Sequence, residues 1–298
     1  METVESLKRR IKTTEDLKSV VKTMKALAAV NIRQYEEAVA ALSEYSRTIE
    51  MGFQVLLRMR PEHAVIARPA PKKRLGLAVL GSDQGMCGPL NEQIVTHALK
   101  TMNELGIPPE DRTVVSVGAR AAAGLEDAGQ PVSEVIPVPG SAAAITTIVQ
   151  AVLVGIERWQ APGGIDQVML VYHRFISGAN YRPHALRLLP VDQLWLRTLK
   201  QKKWPTRCLP TFNMDANHLF SSLIRQYLFV SLYRAFAESL ASENASRLAS
   251  MQGAERNIGE RLEALQADFH RQRQMTITEE LLDIVAGFEA MTGESKSA

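Results

Sequence analysis

Residues 216–291 read ANHLFSSLIRQYLFVSLYRAFAESLASENASRLASMQGAERNIGERLEALQADFHRQRQMTITEELLDIVAGFEAM. Apolar residues recur at Leu219, Leu223, Tyr227, Val230, Ala237, Ala241, Leu248, Met251, Ile258, Leu262, Leu265, Phe269, Ile277, Leu281, Ile284, Phe288 and Met291. Polar Arg234, Asn244, Glu255 and Gln272 fill places on the same stripe. The period lies near the ~3.5 residues of a coiled coil, and no proline interrupts it. The spacing predicts one helix, about 110 Å long at ~1.5 Å per residue. Such a helix must bury most of its stripe outside an ordinary core.

The other end of the chain offers a partner. From Val4 to about Arg60 a second proline-free pattern places Leu7, Ile11, Leu17, Val20, Met24, Leu27, Tyr35, Val39, Leu42, Ile49, Phe53 and Leu56 on one stripe. Two helices separated by a compact insert can lie antiparallel and bury each other's seams. The insert opens after the breakers Pro61, Pro69 and Pro71 and the basic cluster Lys72, Lys73 and Arg74.

Within the insert, Leu75–Leu80, Thr113–Val117 and Val132–Val138 read as strands. Asn91–Leu105, Ala119–Ala128 and Ser141–Trp159 read as helices, the last capped by Ser141. This alternation argues for a parallel sheet covered by helices. Gln167–Ile176 and His184–Pro190, joined by Ser177, Gly178, Ala179 and Asn180, suit a hairpin at its edge. Trp195 to Pro210 reads as irregular, and Asp215 can cap the long helix. The expected fold is therefore α/β: a long antiparallel coiled coil of the N- and C-terminal helices with an inserted Rossmann-like α/β domain. Its divisions are 1–60, 72–192, an irregular connection 193–213, and 214–291.

Composition narrows the function. The 298 residues are 46% apolar and 22% charged with net charge +3, ordinary for a globular protein. The basic excess is too small to indicate nucleic acid, and no aromatic-plus-basic motif accompanies it. Lys8, Arg9, Arg10, Lys12, Lys18, Lys22 and Lys25 crowd the first helix, either as a solvated face or as a band for an acidic partner. Cys87 and Cys208, the only two cysteines, form no disulfide framework, which suits a reducing compartment. The run Ile145–Ile156 reads as too short to cross a bilayer.

The most motif-like stretch is Gly81-Ser82-Asp83-Gln84-Gly85-Met86-Cys87-Gly88-Pro89-Leu90-Asn91. A glycine-rich loop between strand and helix can cradle phosphate. This one lacks the lysine and hydroxyl of a P-loop and the spacing of a dinucleotide fingerprint, and Pro89 removes a donor. The alternative is a turn that packs helix on strand. Cys87 reads as a buried thiol or a dipole-activated nucleophile. The six histidines make no metal spacing, although His173 and His184 would face each other across the hairpin. Asp83 and Asp166 sit near strand ends without a second carboxylate. No catalytic set emerges, and no cofactor or metal is expected. The helix tip Leu281, Leu282, Ile284, Val285, Ala286, Phe288 and Met291 is apolar on more than one side, so it calls for an enclosing partner or a tetramerising contact.

Three blocks then carry a resemblance. They are Lys22-Thr23-Met24-Lys25-Ala26-Leu27-Ala28-Ala29, Ser82 to Asn91 of the loop, and Arg273-Gln274-Met275-Thr276-Ile277-Thr278-Glu279-Glu280-Leu281. In order and spacing the chain resembles the γ subunits of rotary F-type ATP synthases over nearly its whole length. The resemblance implies a central rotor shaft with no active site of its own, a non-catalytic subunit that couples ion-driven rotation of the membrane ring to ATP synthesis or hydrolysis. Its implied partners are the α and β subunits of the catalytic hexamer, the ε subunit and the membrane c-ring, at the cytoplasmic face of a bacterial plasma membrane. Arg273, Gln274, Lys22 and Met24 match β-subunit contacts. Leu281, Leu282, Ile284, Val285 and Phe288 match the end seated in the hexamer's upper sleeve. Asp83, Gly85, Cys87 and Gly88 match a structural loop. Gln84, Pro89, Val30 and Asn31 depart from the family pattern. The competing readings are a small α/β enzyme using the glycine-rich loop and a coiled-coil adaptor that dimerises through its seams.

Overall fold

The computed structural model describes residues 3–59, 74–159, 164–178 and 180–294, with 287–294 by backbone alone. Pro61, Pro69, Pro71, Lys72 and Lys73, the turn residue Ala179, and the side chains of Phe288 and Met291 lie outside the described residues. The chain forms two compact units: Met1–Leu27 with Ser250–Ala298, and Ala28–Ala249. Two long helices contribute to both, α1 (Val4–Met59) and α6 (Ala216–Glu294).

The larger unit is built on five strands, β1 (Leu75–Leu80), β2 (Arg112–Val117), β3 (Glu134–Ile136), β4 (Gln167–Ser177) and β5 (Asn180–Leu189), in the order β3-β2-β1-β4-β5. The first four pair in parallel, and β5 runs antiparallel to β4. Every residue of β1 is buried, as expected of a central strand covered on both faces. One face packs Leu77, Val114 and Met169 against α2 (Leu90–Glu104) and α3 (Ala119–Asp127). The other packs Ala78, Leu80 and Leu170 against α1, α4 (Ala142–Trp159), α5 (Gln193–Gln201) and α6.

α4 is apolar and long enough to cross a membrane by length and composition, at mean hydropathy 1.3 over 18 residues. The run Ile145–Ile156, expected to be too short for that, is only its centre. Its Ile145, Val149, Val152, Leu153 and Ile156 are spent on the core.

In this unit α1 and α6 run antiparallel: Asn31 Nδ2 donates to Asn244 Oδ1 at 3.3 Å and Tyr45 Oη to Gln226 Oε1 at 2.7 Å. α6 is buried around its whole circumference from Ala235 to Ser246. The belt is rich in alanine and serine, whose small side chains admit close neighbours on every side. Phe53 of α1 is fully buried and meets Trp195, Phe220 and Tyr227 edge-on, with centroids 5.6, 6.2 and 6.4 Å away.

Two details of this unit differ from the sequence reading. The connection read as irregular begins with α5, because Asp192 accepts from Leu194 N at 2.9 Å as an N-cap and Leu196 and Leu199 bury a short apolar edge. Arg197, Lys200 and Lys202 hide that edge in the sequence. The second hairpin strand starts at Asn180 and runs through Pro183, which an edge strand tolerates. His173 lies opposite Pro183, while His184 lies opposite Tyr172. The two histidines therefore do not face each other.

The smaller unit pairs the start of α1 with the second half of α6, antiparallel, through Lys25 and Glu255. Its seam uses Leu7, Ile11, Thr14, Lys18, Val21 and Lys25, all buried or half-buried, in strict steps of four and three. In the larger unit the same alternation occupies Ala28, Ile32, Tyr35, Val39, Leu42, Ser46, Ile49, Phe53 and Leu56. This corrects the expected stripe. Leu17, Val20 and Leu27, expected in the seam, are exposed by 53%, 55% and 58%. The seam keeps its heptad phase by accepting Thr14 and the aliphatic stems of Lys18 and Lys25.

Candidate functional site

The glycine-rich loop follows β1, and its donors are largely engaged within the fold. Asp83 receives Ala119 N on Oδ1 at 2.9 Å and Val138 N on Oδ2 at 2.8 Å, tying the start of α3 to the segment after β3. Asn91 of α2 accepts from Ser82 N at 3.0 Å and donates to Ser82 Oγ at 2.8 Å, closing the loop onto the helix it opens. Ser82 O accepts from Arg120 N at 3.0 Å. The Cys87 thiol is buried, 3.5 Å from Ser82 Oγ and 3.4 Å from Asn91 Nδ2, and the Cys87 carbonyl accepts from Ser246 Oγ of α6 at 2.5 Å.

Gly88 has φ 55° and Met86 φ 62°, so the chain turns through the left-handed region twice. Gly85 is not required by space, since a Cβ there would meet only the Arg120 guanidinium at 3.9 Å. A phosphate cradle needs backbone donors facing outward, and here Ser82 N, Ala119 N and Arg120 N are taken. Among the described residues no group of three or more His, Cys, Asp and Glu could hold a metal ion.

Of the described side chains singled out on the smaller unit, all but Met24 are outward-facing. Arg273 and Gln274 are exposed on α6, and Lys22 is exposed and Met24 half-buried on α1. They occupy two levels. Lys25 pairs with Glu255, so Arg273, eighteen residues further along α6, lies about 27 Å beyond that pairing at ~1.5 Å per residue. Leu281, Leu282, Ile284 and Val285 are exposed by 58%, 62%, 68% and 54%. Sequence reasoning missed one feature of this unit, the outward stripe Leu17, Val20 and Leu27. The unbroken heptad from Leu7 onward is the signal that exposes it.

The charges on this unit are organised rather than scattered. Lys25 Nζ stands 2.5 Å from Glu255 Oε2. That hydrogen bond holds the Glu255 carboxyl below its ordinary range, with Lys22 and Lys18 adding to the effect. Lys18 and Lys22 also face Glu263 across a groove with Leu262 as its apolar wall. Part of the basic band of α1 thus serves the coiled coil itself.

A family model described as ATP synthase matches residues 3–291, taking in both long helices and the sheet between them. The chain belongs to this ATP synthase family. Among curated proteins, the ATP synthase gamma chain of Nostoc sp. (strain PCC 7120) is 29% identical over 322 residues, covering 98% of this chain and 100% of the relative. That of Trichormus variabilis is likewise 29% identical with the same coverage. Among solved structures, a chain of the Euglena gracilis mitochondrial ATP synthase, OSCP/F1/c-ring in rotational state 3, aligns at TM-score 0.68 and 17% identity, covering 99% of this chain and 96% of that one. A chain of the Tetrahymena thermophila mitochondrial ATP synthase central stalk and c-ring aligns at TM-score 0.54 and 22% identity, covering 79% and 99%. These two likenesses concern the fold: two long terminal helices and a five-stranded mixed sheet.

Proposed function

We infer that the chain is the central shaft, the γ-type subunit, of a rotary F-type ATP synthase. Its part is to couple rotation of the membrane ring to ATP synthesis or hydrolysis in the αβ hexamer. The carrying observation is the family match over residues 3–291, because it spans the long helices as well as the sheet and leaves no separate catalytic module to explain. The chain works within a membrane-associated complex, with the α and β subunits, the ε subunit and the c-ring as partners. The proposed setting is the cytoplasmic face of a bacterial plasma membrane.

The physical demands of that role fit the chain. A shaft must be stiff, which paired helices supply, and its sides must differ, so that each catalytic subunit meets another face as it turns. The smaller unit offers unlike sides: the outward apolar residues Leu17, Val20 and Leu27, the basic Lys22, and the exposed Arg273 and Gln274. Arg273, Gln274, Lys22 and Met24 are assigned to β-subunit contacts. Leu281, Leu282, Ile284 and Val285, exposed and apolar, are assigned with Phe288 to the sleeve of the hexamer, which removes their surface from water. Asp83, Gly85, Cys87 and Gly88 are assigned a structural part in the loop between β1 and α2. The division into a coiled-coil shaft and an inserted α/β domain follows the same logic.

Co-expression with the α and β subunits of the same source tests the role. One copy of this chain per hexamer, with ATP hydrolysis dependent on it, is the expected result. A folded chain that fails to assemble with its own α and β would overturn it.

A further inference from the structure

Two arginines stand directly opposite each other on the hairpin of the larger unit. Arg174 of β4 pairs with Arg182 of β5, and Tyr172 pairs with His184 beside them. Residues in opposite register share a face of the sheet, with Cβ atoms about 5 Å apart, and like charges placed so are destabilising. Tyr172 and His184 mark that common face, meeting edge-on at 5.6 Å. Arg174 and Arg182 are both exposed. Among the described residues neither makes an ion pair. The fold thus keeps a repulsive pair without supplying its counter-charge.

The pair edges a cavity. Among α1, α5, α6 and the hairpin lies a space of about 240 Å³ whose lining includes Arg174, His184, Arg234 and Ser46. The Arg234 side chain is 54% exposed, and among the described residues only its Nε is engaged, donating to Glu238 Oε1 at 2.8 Å. Its remaining N–H groups are left for a ligand. The positive field reaches inward, since burial first and then the charges of Arg174 and Arg182 push the His184 pKa down. The two carboxylates of the lining are already engaged. Glu238 is buried, bound by Arg234 and by the Tyr172 hydroxyl, and Glu50 is held by Lys202 at 3.0 Å. What faces the space is therefore two guanidinium groups, an imidazole and a hydroxyl.

These donors select the ligand. A guanidinium presents parallel N–H groups that match the oxygens of a carboxylate or a phosphate two at a time. A single carboxylate would satisfy one arginine. A phosphate group, with three or more acceptor oxygens and a charge of about −1.5 to −2, can engage both arginines and still accept from the imidazole or the hydroxyl. The volume lies below the ~300 Å³ at which pockets for drug-sized ligands begin, which suits one phosphate group rather than a whole nucleotide.

We propose that this cavity binds a phosphate group, as free phosphate or as the end of a nucleotide, through Arg174 and Arg234, with Arg182 adding charge at its mouth. The ligand joins the hairpin to α6 and, through Ser46, to α1, so its occupancy stiffens the larger unit. This inference concerns the chain itself and is independent of the shaft role.

Calorimetric titration of the complete purified chain with inorganic phosphate, and separately with ADP, tests this at about 0.15 M salt, where long-range surface attraction is screened. The expected result is saturable binding of one ligand per chain. Phosphate binding that ADP does not exceed identifies the free anion, whereas tighter binding of ADP identifies a nucleotide end. Arg174→Gln, at an exposed position where folding is not at stake, should weaken binding by at least about tenfold, the loss of one charge-assisted pair. Arg120→Gln, exposed on α3 across the sheet, should leave it unchanged. Arg182→Gln gives a second readout: relief of the cross-strand repulsion should raise the melting temperature without phosphate and shrink the rise that phosphate produces. Absence of saturable binding of both probes at millimolar concentration, or equal weakening by Arg174→Gln and Arg120→Gln, would overturn the proposal.

Discussion

Lys25 of α1 and Glu255 of α6, 230 residues apart in sequence, meet at 2.5 Å and fix the register of the coiled coil in the smaller unit. The carboxyl is depressed chiefly by that bond. Its contribution to stability is therefore present above the ordinary pKa of 4.5 and disappears as pH falls through the lower folded value. Lys25→Gln should return the Glu255 pKa toward 4.5, read by carboxyl-carbon NMR titration. An unchanged pKa would mean that the other lysines hold the carboxylate.

The phase of the seam is tested by neighbours. Val21 is half-buried in the seam, and Val20 is 55% exposed. Val21→Asp should destabilise the smaller unit by about 1–3 kcal/mol, through desolvation of a charge at the helix interface. Val20→Asp should stay within ~0.5 kcal/mol but weaken assembly with the αβ hexamer. Thermal melts of the chain and co-purification of the complex separate the two effects. The opposite order would restore the stripe read from apolar residues alone.

That contrast shows what the sequence made legible. The extent of both long helices, the strand–helix alternation and the Asp215 cap, which accepts from His218 N at 2.9 Å, follow from period and capping chemistry. The seam of α1 does not, because apolar residues at 17, 20, 24 and 27 form a second stripe beside the true one. A coiled coil can seat lysine stems in its seam while leaving leucine outside for a partner. Hydrophobicity alone cannot rank the two stripes, whereas constancy of the heptad can. α5 was hidden for a related reason: nine residues with two buried leucines give too little periodicity to separate from a basic loop.

Gly118, at φ 104°, would place a Cβ 2.8 Å from the backbone of Ser82. Both the left-handed backbone and the contact resist a side chain. Gly118→Ala should cost at least about 1–3 kcal/mol and disturb the Asp83 bond to Ala119 N. A fall in melting temperature with increased amide exchange at Ala119 is the expected signature, and unchanged melting would show that the turn relaxes.

His173 is fully buried, with neither ring nitrogen hydrogen-bonded. Burial, aided by the charge of nearby His97, pushes its pKa down to about 4. The unfolded chain binds a proton here below about pH 6.5 while the folded chain does not until about pH 4, so stability falls as pH drops across that window. The loss should approach ~3 kcal/mol at the acid end, at ~1.36 kcal/mol per pKa unit. His173→Leu should flatten the pH dependence of urea unfolding between pH 6.5 and 4. A slope unaltered by the substitution would assign it to His97 or His184, whose pKa values burial also lowers.

Arg273→Ala combined with Gln274→Ala removes two exposed side chains from α6, so the fold should be kept to within ~0.5 kcal/mol. Coupled ATP hydrolysis or synthesis by the assembled complex should fall severalfold. Unchanged turnover of the assembled complex would withdraw these residues from the β-subunit contact.

The belt of α6 from Ala235 to Ser246, enclosed around its circumference, works as a chuck grips a drill. Three turns of helix, about 18 Å at ~1.5 Å per residue, have no free side on which to roll. A twist applied to this part of α6 therefore cannot be relieved by slip at the grip and must be carried into the sheet and α1. Elastic give has to be sought in stretches of α6 where one side is bare, and a spectroscopic label placed in the belt would report a jammed bearing rather than a turning shaft.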